Sequence, residues 1–125
     1  MSIYRADFKP LIRIRSDEEK IAYFIDLCAT KNGVTADQVK TKGRKREVAN
    51  ARHMARYFIY NYTGLSYLST AHKTSGINHT TVRTSILVVG DLCQTDKNFR
   101  NTFELIYKEV SSQFKPVEKR VNQRY

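Results

Sequence analysis

Apolar residues recur every three to four positions along most of this chain, and capping or turn-forming side chains bracket each such stretch. That period predicts amphipathic helices. Ser16 and Glu19 form S-x-x-E, a capping box, ahead of Ile21, Phe24, Ile25 and Cys28 at helical spacing. Gly33 ends that run, and Thr35 can cap a short helix reaching Val39. A longer helix is predicted from about Glu47 to Tyr62, with Val48, Ala51, Ala55, Phe58, Ile59 and Tyr62 lining one side. Ser66 opens a short helix through about Thr74, Gly76 breaks it, and Asn78 caps the next. In that next helix Val82, Ile86, Val89 and Cys93 share one face, while Thr80, Arg83, Thr84 and Leu87 fall elsewhere. A last helix is predicted over Asp96–Phe114 from the spacing of Phe99, Phe103, Ile106, Val110 and Phe114. The expectation is an all-α fold, a compact bundle of about six helices. Residues 66–90 read as helix, glycine-containing turn, helix, the layout of a helix-turn-helix.

The ends differ from this pattern. Residues 1–15 contain Pro10 and the alternation Ile12-Arg13-Ile14-Arg15, which predicts an extended N-terminal arm. The domain proper is expected over 16–114. Residues 115–125 form a basic C-terminal tail with Pro116, expected to be loose. A length of 125 residues fits one domain with a modest core.

Charge narrows the partner. The net charge is +10, and the excess is uneven. Residues 40–56 carry Lys40, Lys42, Arg44, Lys45, Arg46, Arg52 and Arg56 against Glu47 alone. Such a field attracts polyanions, nucleic acid first. No apolar run approaches a membrane span, and no export signal is read at the N-terminus. Cys28 and Cys93 lie far apart and outside any CxxC pair, which fits a reduced cytoplasmic protein, with one disulfide in an exported protein the weaker reading. The three histidines show no metal-ligand spacing, nothing marks a nucleophile, and no glycine precedes a lysine, so the P-loop pattern does not occur. The sequence therefore predicts a protein without cofactor, metal or catalytic centre.

The stretch Ser75-Gly-Ile-Asn-His-Thr-Thr-Val-Arg83 carries the candidate chemistry. Asn78 is an excellent N-cap. Threonines are indifferent helix formers, so Thr80 and Thr81 at a helix start call for another reason. Their hydroxyls can bond to bases or phosphates, and a threonine methyl packs on that of thymine. The loop Lys42-Gly-Arg-Lys-Arg46 can place an arginine in the minor groove, and Arg52 and Arg56, one turn apart, can clamp phosphate.

Together, "KGRKREVANARHMARYF" at 42–58 and "NHTTV" at 78–82 resemble the C-terminal DNA-binding domain, domain IV, of the bacterial replication initiator DnaA. The likeness runs from about Glu19 to Phe114. It implies an all-α fold with a helix-turn-helix variant and binding to short duplex sites called DnaA boxes. It implies a minor-groove role for Arg44, backbone or adjacent-groove contacts for Lys42, Arg46 and Arg52, and major-groove reading by His79, Thr80 and Thr81. Lys45, His53, Arg56, Asn78 and Arg83 complete the candidate surface. Asn78 replaces the family's usual aspartate and His53 its usual glutamine. Ile77 replaces a usual arginine, and Leu87-Val88 a usual Arg-Lys pair. Asparagine pairs bidentately with adenine, so the resemblance implies a shifted preference at one base position.

Two functions of different classes follow. The first is sequence-specific double-stranded DNA binding by a stand-alone relative of the initiator domain, serving as replication accessory or regulator. The second is a protein–protein interaction module that keeps the fold and modulates replication or transcription, favoured by the apolar Ile77, Leu87 and Val88. RNA is a distant third, because its A-form major groove excludes a recognition helix.

Overall fold

The computed structural model describes residues 16–41 and 43–119. The expected strand-like segment at Ile12–Arg15 and the side chain of Lys42 lie outside them. The described residues form six helices: α1 (Asp17–Lys31), α2 (Ala36–Lys40), α3 (Arg46–Tyr62), α4 (Tyr67–Lys73), α5 (His79–Thr95) and α6 (Lys97–Ser111). None is long and apolar enough to cross a membrane.

The helix starts follow from their caps. Ser16 and Glu19 form the reciprocal capping box, and Thr35 with Gln38 forms a second. Ser66, Asn78 and Asp96 each accept an amide from the third residue beyond. Asp96 is also the last residue before α6 and the first after α5, its own amide bonding to Leu92 O at 2.8 Å. One residue therefore turns the chain between two helices.

α3 is the hub, contacting α1, α2, α4 and α5. Its Phe58, Ile59, Ala51 and Met54 are completely buried against Phe24 and Ile25 of α1 and Ile106 of α6. Phe24 meets Tyr62 and Phe114 edge-on, and Phe58 stacks on Phe103 at 5.3 Å between centroids. A smaller cluster of Tyr60, Ala71 and Val82 fixes α4 and α5 to the far end of α3. α6 stops at Ser111, earlier than the apolar spacing implied, yet Phe114 still packs on the core.

The turn between α4 and α5 departs from expectation in its details. Ser75, not Gly76, takes the left-handed conformation, at φ 66°. Gly76 N–H bonds back to Ala71 O at 2.8 Å, the long bond of a Schellman motif. Gly76 is needed for space: a Cβ there would stand 3.0 Å from Ala71 Cβ and 3.1 Å from Thr81 Cγ2. Gly43 does not adopt a positive φ; among the described glycines only Gly33 does. A Cβ on Gly43 would meet Val48 Cγ1 at 3.1 Å, so close approach explains that glycine.

The first part of the tail is held rather than loose. Val117 N–H bonds to Asn61 O at 2.8 Å. Lys119 Nζ donates to Thr63 O at 2.6 Å and Leu65 O at 2.8 Å, and lies 4.5 Å above the Tyr60 ring. Lys20 Nζ donates to Tyr62 O at 3.1 Å. α3 has no basic residue in its last turn, so these two ammonium groups offset the negative end of its dipole.

Candidate nucleic-acid interface

Arg52 and Arg56 lie one turn apart on α3, and His53 sits beside them. The expectation of two phosphate clamps is corrected by their environment: Arg52 is 8% exposed and Arg56 6%. A buried guanidinium pairs its N–H groups where it can, and four bonds from Arg52 and three from Arg56 go to protein oxygens. Arg52 Nε donates to Val39 O at 2.9 Å, Nη1 to Gly43 O at 3.2 Å and Nη2 to Gln38 O at 2.8 Å. Nη2 also donates to Thr41 O. Arg52 thus gathers the backbone leading into the basic loop. Arg56 Nε donates to Thr74 Oγ1 at 3.0 Å, Nη2 to Thr74 O at 2.8 Å and Nη1 to Ser85 Oγ at 2.9 Å. It ties α3 to the end of α4 and to α5.

These partners are neutral oxygens, so the two positive charges persist at the surface's root. Burial lowers the pKa of both; for Arg56, burial and then the Arg52 charge bring it to about 10. Both remain charged at neutral pH. His53 Nδ1 lies 2.8 Å from Ser85 Oγ. Burial first, then Arg56 and Arg52, hold its pKa down at about 4, so the ring is neutral. Ser85 Oγ also accepts from Arg56 Nη1, so one hydroxyl serves both side chains.

Above this layer are two clefts. One, of about 480 Å³, is lined by His53, Arg56, Asn78, Thr80, Thr81, Thr84 and Ser85. The other, of about 360 Å³, is lined by Gly43, Arg44, Ala49, Arg52, His53, Arg56 and Ser75. They share His53 and Arg56, so the basic loop and the start of α5 flank one continuous face. Arg44, Thr80, Asn78 and Arg83 are exposed, whereas His79 and Thr81 are half-buried.

Not every candidate joins this face. Lys45 and Arg46 are exposed but line neither cleft. Arg46 instead borders a separate 230 Å³ cleft with Lys31, Asn50 and Asp96. Arg83 also lines neither of the first two. Asn78 is the N-cap: its Oδ1 accepts from Thr81 N–H at 3.3 Å and Thr81 Oγ1 at 3.4 Å. Both lone pairs are occupied, so bidentate pairing with adenine requires the cap to open.

Sequence reasoning missed Ser85, Thr74 and Ser75. Ser85 is fully buried between Val82 and Val89 in the buried register of α5. A hydroxyl in an otherwise apolar stripe is the signal that a polar partner faces it. Only the fold brings Arg56 to Thr74.

With the face defined, likeness to known proteins can be weighed. A model of the family described as "Bacterial dnaA protein helix-turn-helix" matches residues 21–89. The chain is 28% identical over 98 residues to the chromosomal replication initiator protein DnaA of Bacteroides fragilis, covering 78% of this chain and 21% of that one. It is 33% identical over 73 residues to that of Flavobacterium psychrophilum, covering 58% and 15%. For the Nostoc protein the figures are 26% over 101 residues, 81% and 21%. The chain therefore spans about a fifth or less of the length of these relatives. Since the family match takes in more than half of the chain, with all of α4 and α5 as far as residue 89, the chain belongs to the bacterial DnaA helix-turn-helix family, a class of DNA-binding domain.

Proposed function

We propose that the protein binds double-stranded DNA sequence-specifically, at sites similar to DnaA boxes, and acts as a replication accessory or regulator. The observation that carries this reading is the continuity of the two clefts through His53 and Arg56. An exposed arginine on one flank and a hydroxyl-rich helix start on the other suit neighbouring grooves of one duplex. Arg44 enters the minor groove. The start of α5, with Thr80 and Thr81 foremost and Asn78 and His79 beside them, reads the major groove. Lys42, Lys45, Arg46 and Arg83 supply flanking phosphate contacts. Arg52, His53 and Arg56 serve from beneath, setting the loop and the helix. α3 has no side-chain cap at its N-terminus, beside the basic loop, and a phosphate can occupy that position.

Binding to a site selected from a random duplex pool, titrated against salt, tests the proposal. Arg44→Ala is expected to weaken binding to all sequences and to reduce the salt slope by about 1. Thr80→Ala is expected to relax preference at one base pair, by ~1–3 kcal/mol, with the salt slope kept. Equal affinity of the unaltered protein for selected and scrambled duplexes overturns the assignment. The exposure of Leu87, at 68%, favours a second reading, docking of a replication or transcription protein. Under that reading duplex affinity is weak and insensitive to Arg44→Ala.

A further inference from the structure

Ile77 immediately precedes the cap of α5 and is 75% exposed, more than any other large apolar side chain of the described residues. Its position is set on both sides. Ser75 lines the cleft beside the basic loop and Asn78 lines the cleft beside the threonines, so in the chain Ile77 lies between a residue of one cleft and a residue of the other. The turn beneath it is rigid. Gly76 is bonded to Ala71 O and wedged between Ala71 and Thr81, and Asn78 is engaged in the cap. A β-branched side chain on such a base has few rotamers to lose when it is covered.

The clefts that Ser75 and Asn78 line carry arginines and helix-start hydroxyls, whereas Ile77 offers only hydrocarbon. In the major groove the one apolar feature of a base edge is the C5-methyl of thymine. Resting on the duplex-binding reading above, we infer that Ile77 is a specificity-determining residue that packs on a thymine methyl in the bound site. No hydrogen bond is involved, so the contact distinguishes thymine from cytosine and from uracil by the methyl alone.

The test uses the full chain and the duplex recovered by pooled selection, with each thymine replaced singly by deoxyuridine. Burying one methyl fewer is expected to lower affinity about fourfold at one position. Ile77→Ala is expected to bind the thymine duplex about fourfold or more weakly and to ignore the replacement at that position alone. Ile77→Val is expected to keep part of the response. Ile77 is a surface residue, so an unchanged unfolding midpoint confirms that each variant is folded. Indifference of the unaltered protein to deoxyuridine everywhere, or an undiminished response in Ile77→Ala, overturns the inference while selective duplex binding stands. Absence of selective duplex binding overturns both.

Discussion

His53 shows how far one side chain depends on its surroundings. Its ring is held neutral by burial and by two buried arginines, at a pKa of about 4. The unfolded chain, with a histidine pKa of about 6.5, binds more protons than the folded one between those values. Stability from this group is complete above about pH 6.5 and is lost as pH falls towards 4. Unfolding free energies from denaturant titration at pH 7 and 4.5 are expected to differ by about 1–3 kcal/mol from this residue. His53→Gln, which offers a carbonyl oxygen to Ser85 and cannot gain charge, should flatten that difference. Ser85 joins His53 and Arg56 through a single hydroxyl, so residue identity there is set by two partners at once.

At the scale of elements, α3 is a strut that carries both the basic loop and the start of α5. Arg52 holds the backbone of 38–43, and Arg56 holds the end of α4 and the middle of α5. The two variants should therefore fail differently. Arg56→Met leaves Thr74 O and Ser85 Oγ without their donor in a buried place, at a cost of about 2–4 kcal/mol in denaturant unfolding. Arg52→Met should chiefly loosen the loop. Its expected signature is faster hydrogen exchange at 41–45 and weaker duplex binding, with a smaller loss of stability. Equal losses of stability from both would argue against separate tethers. The spacing of Arg52 and Arg56 is plain in the sequence, but their burial is not. Helical periodicity places two arginines on one side of a helix; it does not reveal what packs over that side.

For the whole molecule, residues 112–119, beyond the last helix, belong to the fold. Lys119 reaches back to the α3–α4 junction, where it donates to two carbonyls and covers the Tyr60 ring. Burial lowers its pKa, with Asp17 acting the other way. Lys119→Ala should lower stability by about 1–2 kcal/mol, measured by thermal or denaturant unfolding. An unchanged midpoint would show the tail contributes nothing there. The net charge of +10 is likewise a property of the molecule as a whole, raising encounter rates with any polyanion without choosing among sequences.

Six helices, their caps, the apolar stripes and the position of the motif were written in local sequence, because capping and amphipathic period act over three to four residues. Asn78 capping α5 and Ser16 capping α1 needed nothing further. Contacts between distant residues were decided by tertiary structure alone. Arg52 closing on Gly43, Arg56 on Thr74 and Lys119 on Thr63 join groups that no local rule pairs. Whether an arginine faces water or carbonyl oxygen depends on which helix is laid across it, and that depends on the packing of the entire bundle.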